Sequence, residues 1–223
     1  MLDAALRQRL PAATTGHVAE ALRLHPCDVR VVPPRRTKLG DHRPPRAGRP
    51  RHVITLNDDL NPFAFLTTLL HEVAHVATWE RHRRRWRPPR PHGAEWQREF
   101  AALLGPVVVE EALPPDVRAA LAGSMGGPAA ASCSDRRLAL ALARYDAPRP
   151  GLVRVEDLAV GTIFRTDRGV VFRAGPIVRT RRQCFEWRSG QEYRVHTLAR
   201  VEPLATAPPA GRARPEPKPR RGS

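Results

Sequence analysis

Two histidines four residues apart, in His71-Glu72-Val73-Ala74-His75, constrain the fold of this chain more than any other feature. Residues four apart lie one above the other on a helix face, so His71 and His75 can offer both imidazoles to one metal ion if this segment is helical. Glu72 then projects beside the ion, where a carboxylate can accept a proton from a water that the ion activates. The segment therefore predicts a helix that carries two metal ligands and a general base.

The residues around this motif favour a helix from Pro62 to about Arg81. Asn61 is a favourable N-cap and Pro62 suits the first helical position. A second helix is predicted from Ala94 to Leu104, and Gly105-Pro106 is predicted to end it. The first helix is supported by apolar residues at helical spacing, which are Phe65, Leu66, Leu69, Leu70, Val73 and Val76.

A third protein ligand would complete a catalytic metal centre, because three ligands leave one position open, whereas a structural zinc site is closed by four. His92 lies just before the predicted second helix, in His92-Gly93-Ala94-Glu95-Trp96, where a helix start can aim it at one point. Glu95, separated from His75 by nineteen residues, is an alternative third ligand by spacing alone. The residues by themselves leave both assignments open.

The HExxH motif, a variable segment and then His-Gly-x-x-Trp resemble the SprT-like (SprT/Spartan-related) zinc metalloprotease family. The resemblance implies an α+β fold, in which a zincin-like protease domain precedes a small β-rich, barrel-like module. It implies one Zn²⁺ per chain, held by His71, His75 and His92, with Glu72 as the general base. It further implies hydrolysis of peptide bonds in protein substrates that are associated with DNA.

The resemblance covers most of residues 1–205. Segments 37–43 and 52–57 are similar to the strands that precede the catalytic helix in the family, and 58–63 leads into that helix in the same way. Downstream, 131–135 and 144–146 resemble a segment of the Bacteroidetes-type branch, which carries a small β-rich C-terminal module. We also expect the strand around Val53–Leu56 to lie near the cleft and to pair with the substrate backbone.

The cysteines depart from the pattern of many relatives, which carry a zinc ribbon after the protease domain. A ribbon needs four ligands, whereas this chain has three cysteines and no CxxC pair. A second zinc site of that kind is therefore excluded. The cysteines are Cys27, Cys133 and Cys184.

Proline and glycine punctuation predicts how the chain is divided, with a boundary at Pro148-Arg149-Pro150-Gly151. Short strands with turn signals between them follow that boundary, which predicts a small barrel or curled sheet. The predicted parts are a protease domain over 1–112, a helical bracing segment and linker over 113–150, a β-rich module over 151–205, and a disordered basic tail over 206–223.

The formal net charge of +16 indicates a partner rich in phosphate, and nucleic acid is the most common one. Between the second and third ligands, guanidinium groups could hold phosphates while an indole stacks on a base. The alternative is a solvated basic helix end, with the tryptophan packed on the core. The candidate nucleic-acid residues are Arg83, Arg84, Arg85, Trp86 and Arg87, together with Arg181 and Arg182 of the β-rich module. A further basic stretch, 35–51, is predicted to be a mobile loop.

The sequence contains no candidate membrane span and no signal peptide, so we expect a cytoplasmic protein without a membrane partner. Three classes of function remain open. The chain could be a metalloprotease of DNA-associated proteins, or a nucleic-acid or transcription-elongation-associated binding protein with a weakly active or silent zinc site. It could also be a general metallopeptidase. Glu72 favours a hydrolase, because a structural site does not need a carboxylate next to its first ligand.

Overall fold

The computed structural model describes residues 2–35, 37–84, 86–87, 89–109, 113–125, 135–206 and 208. The chain divides into two compact units, Met1–Ala147 and Pro148–Ser223, and each has a hydrophobic core of its own. Helices and two sheets are both present, so the predicted α+β class is confirmed. Within the described residues, no helix is long and apolar enough to cross a membrane.

The first unit combines helices with a three-stranded sheet. Its strands are β1 (Cys27–Val32), β2 (Gly40–Arg43) and β3 (His52–Asn57). Its α-helices in the described part of the chain are α1 (Ala4–Arg7), α2 (Thr15–Leu24), α3 (Pro62–His82), α4 (Ala94–Val109), α5 (Pro115–Met125) and α6 (Arg136–Ala143). Residues 131–134, most of the segment that resembles the Bacteroidetes-type branch, lie outside the described residues.

β3 is the central strand of this sheet, in the order β1-β3-β2. It pairs in parallel with β1 and antiparallel with β2, and all six of its residues are buried. A strand that is paired along both edges has no backbone groups left for a peptide. The prediction that Val53–Leu56 pairs with substrate is therefore wrong, and β2 is the edge strand on the side of α3.

β2 comes from the basic stretch that was predicted to be a mobile loop. The Arg35 guanidinium donates hydrogen bonds to Asn57 Oδ1 at 2.9 Å and to Thr55 Oγ1 at 2.8 Å, which ties the start of this stretch to β3. Arg46 and Arg49 exchange backbone hydrogen bonds in a tight turn. The loop prediction was wrong for residues 40–43. Their backbone N–H and C=O groups pair with β3, and the local sequence does not indicate this pairing with a distant segment.

The N-cap of α3 is Asn61, as the sequence predicts. Its side-chain oxygen accepts hydrogen bonds from the backbone N–H of Phe63 at 3.1 Å and of Ala64 at 3.0 Å, which satisfies two otherwise unpaired donors of the first turn. Three buried threonines of α3 donate to the carbonyl four residues earlier, so their hydroxyl groups are also paired. They are Thr67, Thr68 and Thr78.

α4 continues through Pro106 to Val109, so the predicted end at Gly105-Pro106 is wrong. A proline inside a helix lacks one N–H and costs about 3 kcal/mol relative to alanine. Leu104 and Val107, on either side of it, are fully buried in the core of the first unit. Burial of such side chains contributes about 1.5–3 kcal/mol each, which offsets the local cost.

The second unit is a six-stranded sheet with the strand order β4-β9-β5-β6-β7-β8. Val155, Phe164 and Cys184 are fully buried in its core. The described residues show no pairing between β4 and β8 at the two ends, so the hydrogen-bond ladder is not closed. The strands are β4 (Val153–Arg154), β5 (Ile163–Arg165), β6 (Val171–Val178), β7 (Arg181–Glu186), β8 (Glu192–His196) and β9 (Arg200–Pro203).

Candidate metal centre

Three histidine side chains converge in the first unit. The Nε2 atom of His92 lies 3.1 Å from Nε2 of His75 and 3.1 Å from Nε2 of His71. In the described part of the chain, the possible ligand atoms of these three histidines lie close enough together to hold one metal ion. Tetrahedral coordination with Zn–N bonds of about 2.0–2.1 Å places nitrogen atoms about 3.3 Å apart, so the donor set fits such an ion.

The Trp96 ring packs against all three imidazoles. Its ring centroid lies 4.6 Å from that of His71, 5.4 Å from that of His75 and 4.8 Å from that of His92. Phe100, one turn later on α4, stacks on Trp96 at 4.7 Å. Because α4 packs against α3 in this way, the helix that follows His92 also restrains the rings of His71 and His75.

The backbone of His92 adopts the left-handed region, with φ +57°. This conformation is uncommon for a residue with a side chain, and such strain persists only when the surrounding structure holds it. Gly93 N–H donates to the Arg90 carbonyl at 2.9 Å, and the Gln97 side chain donates to the His92 carbonyl at 3.2 Å. A Cβ on Gly93 would lie 3.0 Å from the Arg90 carbonyl oxygen, which explains a glycine directly after the third histidine.

The burial of the imidazoles keeps them neutral. Burial, with the charge of His92 as a second cause, lowers the pKa of His71 to about 4. Burial and the neighbouring histidines lower the pKa of His75 to about 3, and burial also lowers the pKa of His92. A neutral imidazole has a lone pair for a metal ion, so the site is ready to coordinate near neutral pH.

Glu72 directly follows His71 on α3 and is only 6% exposed. Burial and the charge of Asp41 raise the pKa of its carboxyl to about 7, although Arg35 and the backbone N–H of His42 act in the opposite direction. A carboxyl group that titrates near neutral pH can both take up and release a proton. A Cβ on Gly40 of β2 would lie 2.5 Å from Glu72 Oε1 and 2.8 Å from Thr68 Cγ2, so this position leaves room for the carboxylate.

A second pair of histidines lies behind His75. The ring of His42 is stacked parallel to that of His75, with 6.2 Å between centroids and 5° between planes. His42 Nε2 and His52 Nδ1 share a hydrogen bond of 2.8 Å, and the His52 ring meets Trp79 edge-on at 4.8 Å. Sequence reasoning did not single out Gly40, His42 or His52, because no local spacing relates β2 and β3 to the motif on α3.

Glu95, the alternative third ligand, is not part of the converging group. It lies in the first turn of α4, three residues after His92. His92 occupies the third position because its left-handed backbone turns the side chain before the helix begins.

The candidate nucleic-acid residues are placed differently from one another. Trp86 is 95% exposed, which excludes the alternative in which it packs on the core, and Arg84 and Arg87 are also exposed. Arg83 is exposed and its guanidinium lies over the ring of Trp79, 5.5 Å from the centroid. Arg85 lies outside the described residues.

The two arginines of the second unit lie on opposite faces of β7. Arg181 is exposed and donates to the Arg194 carbonyl at 3.4 Å. Arg182 is only 4% exposed, because strand alternation places it on the inner face together with Cys184. A side chain buried in this way cannot contact a nucleic acid at the surface, so the prediction for Arg182 is wrong.

Comparisons with models of protein families, with curated proteins and with solved structures found no match to this chain.

Proposed function

We propose that this chain is a zinc-dependent peptide hydrolase of the SprT-like kind, with a zincin-like first unit. The observation that carries the proposal is the convergence of the Nε2 atoms of His71, His75 and His92 beside a buried Glu72 whose pKa is raised to about 7. Three ligands and an adjacent proton acceptor are the arrangement of a catalytic zinc site. The resemblance of residues 71–75 and 92–96 to the SprT-like motifs supports the same assignment.

Zn²⁺ in this position would supply Lewis acidity and would lower the pKa of a water molecule. Glu72 would accept the proton of the attacking water and would return it to the amine nitrogen that leaves when the C–N bond breaks. Trp96 and Phe100 exclude solvent from beneath the histidines, and His42 holds Glu72 through its backbone N–H.

β2 is at the edge of its sheet, and it lies against α3 with Gly40 and His42 next to Glu72 and His75. We propose that the backbone of an extended peptide substrate pairs with this edge, which would bring its scissile bond over the three histidines.

Substitution of Glu72 tests this function directly. We expect Glu72→Gln to retain one Zn²⁺ per chain and to lose hydrolysis of an unfolded protein substrate by at least about a hundredfold, since general-base catalysis contributes 10²–10⁴-fold. His92→Ala should lose both metal and hydrolysis, whereas Glu95→Gln should keep both. Metal content is measured by atomic absorption and cleavage by gel electrophoresis. Hydrolysis retained by the Glu72 variant would contradict the role of Glu72 as the general base.

A second candidate function, nucleic-acid binding, is favoured by the exposed Trp86 among basic residues and by the net charge of +16. We propose that DNA binds beside the cleft and confines hydrolysis to proteins associated with it. Cleavage of a DNA-binding protein is compared with and without single-stranded DNA, for wild type and for Trp86→Ala. Stimulation that needs Trp86 supports this role. Cleavage that ignores DNA favours a general peptidase, and salt-sensitive DNA binding by a zinc-loaded protein that cleaves nothing favours a binding protein.

A further inference from the structure

A cavity of about 280 Å³ is lined by His75 but not by Glu72. Its walls come from the end of β2, from the second half of α3 and from the segment before α4. Aromatic and proline side chains form most of these walls, namely His42, Pro44, Trp79, Pro89, Pro91 and Trp96. The cavity is thus an apolar recess that opens directly beside one of the three metal ligands.

The charges around this recess are of one sign. Arg83 and Arg90 line it, and no aspartate or glutamate does. Among the residues that the structure describes, neither guanidinium has a carboxylate within ion-pair distance. Arg83 is held over Trp79, which is itself a wall of the recess. The nearby Arg81, in contrast, is paired with Glu99 at 2.9 Å.

The recess therefore combines apolar walls with two cations that have no carboxylate partner among the described residues. A ligand with an apolar stem and an anionic end fits this combination.

We propose that this recess is a substrate subsite that selects an acidic side chain, glutamate or aspartate, next to the scissile bond. The proposal rests on the proposed peptide hydrolysis, because it places the recess along a peptide bound at β2. The methylene groups of the side chain pack between Pro44, Trp79 and Pro91, and the carboxylate pairs with Arg83 and Arg90. A lysine or arginine side chain is disfavoured here, because both guanidiniums and a divalent ion at His75 repel it.

Peptide binding to the metal-loaded Glu72→Gln protein tests the subsite without turnover. Fluorescein-labelled peptides are identical except for one residue, which is Glu, Gln or Lys, placed in turn on either side of the scissile bond. We expect the Glu peptide to bind about five- to tenfold more tightly than the Gln peptide at one of these positions, and the Lys peptide to bind most weakly. Fluorescence anisotropy gives the dissociation constants.

The arginines are tested by the same titrations. In an Arg83→Gln, Arg90→Gln double variant, the Glu and Gln peptides should bind equally. Arg98→Gln is the matched control, because Arg98 is exposed on α4, does not line the recess and should leave the preference unchanged. Thermal unfolding shows whether each variant is folded.

The possible outcomes separate the subsite from the hydrolase. A preference for Glu that the double variant loses supports the subsite. Equal binding of Glu and Gln peptides, a preference that survives in the double variant, or no binding of any peptide overturns it. If Glu peptides bind preferentially but the wild-type protein cleaves none of them, the acidic subsite is supported and the proposed hydrolysis is contradicted. If the wild-type protein cleaves all peptides equally well, the hydrolase stands and the subsite fails.

Discussion

Gly40 shows how a single hydrogen atom in place of a side chain leaves room for the Glu72 carboxylate. Its backbone passes so close to Glu72 that a Cβ would lie 2.5 Å from Oε1 and 2.8 Å from Cγ. The φ angle of Gly40 is not in the left-handed region, so close approach is the reason for the glycine and backbone freedom is not. The space that Glu72 needs therefore depends on a residue that is remote from it in sequence.

Gly40→Ala should displace the Glu72 carboxylate, because the added methyl group and Oε1 cannot occupy the same space. We expect hydrolysis to fall by at least about tenfold, with Zn²⁺ retained and with a loss of stability of about 1–3 kcal/mol from overpacking. Gly16→Ala is the control, since a Cβ on this exposed residue of α2 meets nothing within 4 Å and should stabilise the helix by about 0.5–1 kcal/mol. Equal activity of Gly40→Ala and wild type would contradict this role.

The pH dependence of stability should report the environment of Glu72 in the metal-free protein. Its pKa is raised from 4.5 to about 7, mainly by burial, so the folded state favours the protonated carboxyl. Its contribution to stability is fully present below pH 4.5 and is lost as the pH rises through 7. Relative to Glu72→Gln, wild type should therefore lose on the order of 2–3 kcal/mol between pH 5 and pH 8.

Urea unfolding of both proteins at these two pH values measures this difference, with a chelator present to remove metal. His71 and His75 contribute in the opposite sense. Because their pKa values are lowered to about 4 and 3, the stability they provide is present above pH 6.5 and is lost as the pH falls. Both proteins keep these histidines, so their contribution cancels in the comparison. A difference that is flat with pH, or that grows in favour of wild type, would show that Glu72 is not buried as described.

At the scale of elements, α3 combines a strong local start with interactions that only the fold supplies. The Asn61 side chain caps the helix with its oxygen and also donates through Nδ2 to the Leu142 carbonyl at 3.0 Å and to Asp146 Oδ1 at 2.7 Å. The same residue thus begins the helix that carries His71 and His75 and connects it to the end of α6. Local capping was predictable from the sequence, whereas the connection to α6 spans about eighty residues.

Asn61→Ala should lower the free energy of unfolding by about 2 kcal/mol or more, because it removes the cap together with two hydrogen bonds to the end of α6. Asp135→Ala provides the comparison. Asp135 caps α6 through the N–H groups of Arg137 and Leu138 and makes no second connection of this kind to the described residues, so its loss should cost about 1 kcal/mol. Chemical denaturation measures both values. Equal costs would mean that the hydrogen bonds to α6 add nothing to the cap.

At the scale of the whole molecule, the two compact units have separate cores, and the three histidines that could hold a metal ion all lie in the first. We therefore expect a fragment of residues 1–147 to fold and to bind Zn²⁺ with the affinity of the full chain. Competition with a chelating dye measures the affinity, and circular dichroism measures folding. A fragment that binds Zn²⁺ at least about tenfold more weakly would show that the second unit supports the site. A fragment of residues 148–223 should bind no Zn²⁺ in the same assay.

Features that depend only on neighbours along the chain were predictable from the sequence. The helix around His71 and His75 and its cap at Asn61 follow from periodicity and capping chemistry, which act within a few turns. Spacing left both His92 and Glu95 open as the third ligand, and the resemblance to the SprT-like motifs implied His92. Several short strands of the second unit followed in the same way, from turn residues between apolar runs.

Tertiary structure alone decided the features that depend on packing between distant segments. It placed β3 in the centre of its sheet and β2 at the edge, it extended α4 past Pro106, and it turned Arg182 inward. It also brought Gly40 against Glu72 and His42 against His75. Burial and non-local hydrogen bonds outweigh local preference at these positions, because each contributes free energy comparable to or larger than the propensity it opposes.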